Sequence, residues 1–141
     1  MALELGQFFD RLERQLESTP TLRRKISVNL AEETIDLIKE GFDLEKDPYG
    51  DPWAPKQKRD GRKVLSGETS NLKTGWHTRS VDEDGYEVAP SVDYAGYHQK
   101  PYEARRPRRM MFPDDELGLP QVWTEAFEET VLEVMHAHFT E

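Results

Sequence analysis

Four histidines and one short acidic run are the side chains of this sequence that could act in catalysis or hold a metal. The chain has no cysteine, which excludes thiol nucleophiles and thiolate metal sites. His77 and His98 could form a metal pair, but no carboxylate accompanies them at the spacing of metal ligands. His136 and His138 are two positions apart on a predicted helix, so their rings point to different sides and cannot hold one ion. The histidines therefore predict neither a catalytic site nor a metal site.

The acidic run, Asp114–Glu116, resembles the carboxylate clusters with which nucleases bind Mg²⁺. Adjacent acids ahead of a helix more often stabilise its positive end or solubilise a turn. The sequence contains no glycine-rich phosphate loop, no nucleophile elbow and no zinc-ligand pattern. We therefore predict a protein that is not an enzyme and that uses no cofactor and no metal.

Two basic runs are candidates for contact with another macromolecule. Five basic residues lie between Lys56 and Lys63, and the second run consists of Arg105, Arg106, Arg108 and Arg109. Such arginines can pair with acidic helices of a partner, grip DNA phosphate or remain solvated. Under the first alternative, the four arginines of the second run are partner-binding residues.

A stretch rich in glycine, proline and charge covers Asp43–Lys63. Proline lacks a backbone donor and disfavours helical geometry in the residue before it, so this stretch predicts a long loop. Long loops in compact domains are usually functional or become ordered on binding. We expect this loop to be mobile in the free subunit and ordered in an assembly, where a neighbour supplies its contacts.

Two aromatic residues of this loop, Tyr49 and Trp53, are further candidates for partner binding. Trp53 stands between Pro52 and Pro55. A rigid ring on an extended segment can dock on a neighbouring subunit, or it can fold back onto the core of its own chain. Docking predicts that Trp53→Ala leaves folding nearly intact, whereas core packing predicts a much lower melting temperature.

Composition and charge limit the class of protein. A chain of 141 residues predicts one domain, and a hydrophobic content of 35% predicts a thin core that a partner helps to cover. The net charge of −9 argues against simple wrapping of nucleic acid. The sequence has no signal peptide at its start and no run of the roughly 18 apolar residues that cross a membrane. We expect a soluble protein made in the cytoplasm, without membrane contact.

Apolar residues at helical spacing predict three helices. The first lies within residues 1–18, and the second starts at Thr19-Pro20, with a stripe from Leu22 to Ile38 and an end near Phe42. The third starts at Pro120 and is typical of an amphipathic helix, because four glutamates face away from an apolar stripe. That stripe consists of Trp123, Phe127, Val131 and Val134.

Between the second and third helices the pattern changes to that of a small antiparallel sheet. Trp76–Val81 and Tyr86–Ala89 are predicted strands, and the Asp-Gly pair of Asp82–Gly85 predicts the hairpin turn between them. A short helix is predicted at Ser70–Lys73, and Arg109–Phe112 could add a further strand. The whole chain therefore predicts a single α+β domain.

Several short segments, taken in their order along the chain, carry a resemblance to a known protein family. They are Asp47, Gly50, Pro52, Trp53 and Pro55 after the long helix; Leu65-Ser66-Gly67 with Leu72; Tyr94-Ala95 with His98-Gln99; and Arg106–Phe112 before the last acidic helix. Together they resemble the phage virion morphogenesis family, the tail-completion proteins in the neck of tailed bacteriophages. Two departures from the family pattern are Lys100-Pro101 after His98-Gln99 and an insertion at Glu68–Ser70.

The resemblance implies a structural virion protein that forms a ring, with six copies, around the DNA channel between tail and head. Its implied partners are further copies of the chain, the head connector, and the tail terminator or tube, and it is assembled in the host cytoplasm. DNA passes through such a ring without specific binding, so acids suit its lumen. Two alternatives remain open: an accessory protein that binds nucleic acid, and a small metal-dependent enzyme that processes DNA.

Overall fold

A computed structural model of the protein describes residues 7, 10, 11, 13, 14, 19–56, 61, 64, 65, 71–92, 95–99 and 108–140. Its elements are, in chain order, helix α1 (Pro20–Leu44), helix α2 (Asn71–Thr74), strands β1 (His77–Asp82) and β2 (Gly85–Ala89), helix α3 (Ala95–Gln99) and helix α4 (Gln121–Thr140). Two long helices with a small antiparallel sheet confirm the predicted α+β class.

Helix α1 forms because Pro20 sits at its first position and because small and apolar residues repeat along one side. Leu22, Ala31 and Ile38 are almost completely buried. The helix runs to Leu44, two residues beyond the predicted end, because Glu45 rather than Gly41 takes the left-handed conformation that stops it, with φ of 55°. Gly41 has a different role, since a Cβ there would approach the carbonyl oxygen of Lys46 to 3.1 Å.

The predicted hairpin is confirmed. Strands β1 and β2 pair antiparallel, with Val81 opposite Tyr86 and an irregularity between Thr78 and Ser80. The carboxylate of Asp82 accepts the backbone N–H groups of Asp84 and Gly85, which closes the turn. The sheet packs against α1, where the hydroxyl groups of Tyr86 and Thr34 lie 2.8 Å apart.

Helix α4 packs antiparallel to α1. At one end Lys25 Nζ lies 3.3 Å from His138 Nδ1, and at the other Leu37 and Trp123 belong to the same apolar cluster. Trp123 is buried and Phe127, Val131 and Val134 are partly buried, as the predicted stripe requires, while the glutamates between them are exposed. The shared core of the domain also includes Phe42, Trp53, Val64, Leu72, Ala95 and Met111.

One predicted strand is not formed, and one predicted helix falls partly outside the described residues. Residues 109–112 form no strand, because their backbone groups bond to the Gln99 side chain and to other segments rather than to a neighbouring strand. The described residues of the predicted N-terminal helix, at positions 7, 10, 11, 13 and 14, are helical, and its other residues lie outside the description. Of the helices described, none is long and apolar enough to span a membrane.

Candidate functional site

The segment 108–114, which we name the clasp, joins three parts of the domain. It lies between α3 and the loop at residues 45–56, and it leads towards α4. Of the six residues predicted to bind a partner, Arg108 and Arg109 belong to the clasp, and Tyr49 and Trp53 contact it. Arg105 and Arg106 lie outside the described residues.

Trp53 is a core residue of its own chain. Only 6% of it is exposed, its ring meets the ring of Phe42 edge-on at 5.2 Å, and its Nε1 donates to the carbonyl oxygen of Met110 at 3.0 Å. A buried indole with its only donor satisfied is not available to a neighbouring subunit. Of the two alternatives for Trp53, the structure shows core packing, and the assignment of Trp53 as a partner-binding residue does not fit its position.

The loop that carries Trp53 folds on its own chain. The Asp47 carboxylate accepts the N–H groups of Tyr49 and Asp51, Asp47 N–H donates to the carbonyl oxygen of Asp51, and Trp53 N–H donates to that of Glu45 at 2.8 Å. Gly50 takes φ of 92°, which favours glycine in the tight turn. The expectation that these backbone groups need a neighbour is therefore wrong for residues 45–56, and residues 43 and 44 are helical. Residues 57–60, 62 and 63 lie outside the described residues.

Tyr49 fixes this loop to the end of the clasp. Its hydroxyl donates to the carbonyl oxygen of Gly118 at 2.5 Å and accepts the N–H of Asp114 at 3.0 Å. Both roles of the hydroxyl are thus used within the chain. The polar group of Tyr49 is a structural link, although its ring also lines a groove described below.

The ion pair between Arg108 and Asp114 closes the clasp. Arg108 Nη2 lies 2.5 Å from Asp114 Oδ2, and Arg108 Nε donates to the carbonyl oxygen of Gln99 at 2.6 Å. The Asp114 side chain is only 6% exposed, and its other oxygen accepts the N–H of Glu116 at 2.8 Å. A buried carboxylate requires such partners. Asp114 is therefore a structural acid, and nowhere in the described ranges do three His, Asp or Glu side chains meet as metal ligands.

Arg109 binds the loop of its own chain. Its Nε donates to the carbonyl oxygen of Ala54 at 3.0 Å and its Nη2 to that of Pro55 at 3.3 Å, while its backbone N–H donates to the carbonyl oxygen of His98. Burial lowers the pKa of the Arg109 guanidinium, which still remains charged at neutral pH. The pKa of the half-buried His98 is lowered by burial and by the neighbouring charge of Arg109. His77, by contrast, is exposed, and its Nδ1 lies 3.0 Å from the carbonyl oxygen of Gly75.

Gln99 is the member of this network whose role the sequence did not indicate. Its Nε2 donates to the carbonyl oxygen of Phe112 at 2.6 Å, and its Oε1 accepts the N–H groups of Met111 and Phe112 at 2.8 and 3.1 Å. The side chain therefore pairs with the clasp in the way that a neighbouring strand would. The available signal was the position of Gln99 in the His-Gln segment of the family pattern.

Replacing Gln99 by alanine is expected to lower the free energy of unfolding by about 2–4 kcal/mol, because it leaves one partly buried backbone N–H without an acceptor and removes two further bonds. Thermal unfolding of the isolated protein measures the loss. Gln121→Ala is the matched control, since Gln121 is exposed and, among the residues that the structure describes, its side chain bonds to Glu125 on its own helix. Equal melting temperatures for the two variants would contradict the role assigned to Gln99.

Acidic side chains of α1 and α4 meet along the line where the two helices pack. Burial raises the pKa of Glu33 from its usual value near 4.5, and the negative charges of Asp36, Glu129, Glu133 and Glu40 raise it further. We name these five residues the acidic ridge. The sequence showed acids on the outer side of each helix, but only the pairing of the helices places them on one surface.

Glu33→Gln is expected to raise the melting temperature at pH 7. The folded state binds the Glu33 proton more tightly than the unfolded state, so the stability that this proton contributes is present below about pH 4.5 and is lost as pH rises through the folded pKa. The gain should vanish below about pH 4 and shrink in high salt. Glu32→Gln, at an exposed position outside the ridge, should change little; a gain independent of pH would contradict the electrostatic origin.

An exposed apolar surface lies at the opposite end of α1 from its N-terminus. Leu44 is 57% exposed and Val122 is 66% exposed, and both line a groove of about 390 Å³ together with Pro48, Tyr49 and Pro120. Leu117 and Leu119 are also exposed, in the turn that leads into this region. We name Leu44, Leu117, Leu119 and Val122 the apolar end. Large apolar side chains that are exposed together usually mark a surface that binds another molecule.

Comparison with known protein-family models, with curated proteins and with solved structures finds no match to this chain.

Proposed function

We propose that the chain is a structural subunit of the neck of a tailed bacteriophage, a tail-completion protein that joins the tail to the head connector around the DNA channel. The observation that carries this proposal is that segments of the family resemblance, far apart in sequence, meet at the clasp. Trp53 bonds to Met110, Gln99 bonds to Met111 and Phe112, and Tyr49, within the Asp47–Pro55 segment, bonds to Asp114. Residues that bond to one another within the chain stabilise its fold, so this pattern favours a structural role over a catalytic one.

Two surfaces of the domain suit a ring subunit. The apolar end offers exposed side chains that a neighbouring subunit or an adjoining ring can bury. The acidic ridge offers a surface that repels phosphate, which suits a channel through which DNA passes without binding. The proposed ring contains six copies of the chain, and its further partners are the head connector and the tail terminator or tube.

The arginines that could have gripped DNA have other partners where the structure describes them. Arg108 pairs with the buried Asp114, and Arg109 binds loop carbonyl oxygens. Moving either guanidinium to a phosphate would break the clasp. These contacts favour the structural role over the accessory protein that binds nucleic acid.

Deletion of the gene in the phage or prophage that carries it tests the proposal. We expect full heads and complete tails that stay separate in electron micrographs, with joining restored by the gene in trans. Antibody against the chain should label the junction of head and tail in intact virions. Virions that lack the chain, or a deletion that stops DNA packaging or tail formation instead, would overturn the proposed function.

A further inference from the structure

Strand β1 is the exposed strand of the hairpin. Five of its six residues are exposed and Val81 is half-buried, whereas four of the five residues of β2 are half-buried. A strand with one face on a core alternates between buried and exposed residues, but residues 77–80 are exposed in succession. The first part of β1 therefore projects beyond the core and is accessible on both faces.

The outer edge of β1 carries backbone groups that can pair with another strand. Among the described residues the sheet consists of β1 and β2 alone, and no loop or helix backbone there bonds to β1. An edge of this kind is a template for a further strand. The outer edge of β2 is less accessible, because Tyr86 bonds to Thr34 on α1 and Val88 packs against the apolar cluster.

The charge of Arg79 restricts which strand can pair with β1. Arg79 lies in the exposed part of the strand, and a charge on an edge strand keeps out partners that offer no opposite charge. Its ion pair with Glu87 is weak, because the two atoms are 3.9 Å apart and both side chains are more than half exposed. A suitable partner strand therefore presents an acid opposite Arg79.

The last residue of the same strand, Asp82, is such an acid. When two copies of β1 run antiparallel, the Arg79 of each can lie opposite the Asp82 of the other, and two-fold symmetry makes this contact twice. Ser80 then lies opposite Val81 at the centre. In the described structure the turn uses only Oδ1 of Asp82, so Oδ2 can accept the guanidinium. A parallel pair in register would instead place like charges side by side.

We infer that β1 pairs antiparallel with β1 of a second copy of this chain, which joins two hairpins into one four-stranded sheet. Four strands are more stable than two. This contact is separate from the apolar end, because the tip of the hairpin lies at the start of α1, where Asp84 pairs with Arg23. The inference does not depend on the assignment to the phage neck, since a two-fold pair does not by itself close a ring.

Analytical ultracentrifugation of the purified full chain over a range of concentrations tests the inference. We expect an equilibrium between monomer and dimer. Amide hydrogen exchange locates the contact: the amides of β1 that point away from β2 should exchange more slowly as the dimer forms, while those of β2 should not change. A chain that stays monomeric at every concentration, or a dimer that protects another segment instead of β1, would overturn the inference.

Substitutions at Arg79 separate pairing from folding. Arg79→Glu should weaken the dimer at least about tenfold, because two-fold symmetry turns two attractive contacts into two repulsive ones. Arg79→Lys keeps the charge and should keep the dimer. Lys46→Glu is the matched control, since it makes the same change of charge at an exposed position in the loop after α1 and should leave the dimer unchanged. All three variants should melt like the wild type, because the altered residues are exposed.

Two results with these variants would contradict the inference. Equal association by Arg79→Glu and Lys46→Glu would mean that β1 is not at the contact. Association that is lost in Val122→Glu but kept in Arg79→Glu would assign the contact to the apolar end. The second result would leave the proposed function intact, so failure of this inference can be distinguished from failure of the neck assignment.

Discussion

Replacing Trp53 by alanine is expected to lower the free energy of unfolding of the isolated subunit by about 3–5 kcal/mol, and its melting temperature by about 10–15 °C. The variant removes a ring that is 6% exposed, loses the edge-on contact with Phe42 and leaves the carbonyl oxygen of Met110 without its donor. Because this oxygen belongs to the clasp, the loss should extend beyond the cavity itself. Thermal and urea unfolding of the purified chain measure both quantities.

A phenylalanine at the same position separates packing from hydrogen bonding. Trp53→Phe keeps most of the apolar volume but cannot donate to Met110, so we expect a loss of about 1–2 kcal/mol. If Trp53→Ala instead melts close to the wild type, the ring does not stabilise the isolated chain, and the alternative in which Trp53 docks on a neighbour returns.

Local patterns in the sequence were sufficient to predict the two long helices and the hairpin. The stripe of α1 from Leu22 to Ile38 and the Asp-Gly turn of the hairpin are local signals, since each depends on residues within a few positions of one another. The end of α1 was placed less well. The chain stops the helix at Glu45, where a left-handed residue is uncommon, while the more obvious Gly41 is needed for close packing.

The clasp could not be predicted in the same way, because its bonds join side chains to backbone groups far away in sequence. Arg109 meets Ala54 and Pro55, and Tyr49 meets Asp114 and Gly118. An arginine run has the same local pattern whether it binds a partner or its own loop. The order of segments in the family resemblance indicated that these residues matter, but not that they contact one another.

The acidic ridge could not be predicted either, because it depends on how two helices pack against each other. Glu33 and Glu129 are each typical outer-face residues of an amphipathic helix, and only the antiparallel packing of α1 and α4 brings their charges together. The family resemblance implies an acidic lumen for the proposed ring, and this stays a prediction. The sequence could not indicate which acids are close enough to shift the pKa of a neighbour.

Replacing Val122 by glutamate is expected to abolish the joining of heads and tails, with a fall in infectious titre of several orders of magnitude, while the isolated chain keeps its melting temperature. Val122 is 66% exposed, so the free subunit loses little apolar burial, but a partner that covers the apolar end would have to bury an unpaired charge. Complementation of the gene deletion, followed by titre and electron microscopy, measures the effect.

Leu132→Glu is the matched control for Val122→Glu. Leu132 lies on the same helix, is 67% exposed and takes the same change of side chain, but it does not belong to the apolar end. The expected result is near-normal titre for Leu132→Glu and unjoined heads and tails for Val122→Glu. If both variants join heads and tails normally, the apolar end does not belong to the neck interface. If both fail to join them, the exposed length of α4 is covered in the assembly. A lower melting temperature for Val122→Glu alone would instead place Val122 among the residues that stabilise the subunit.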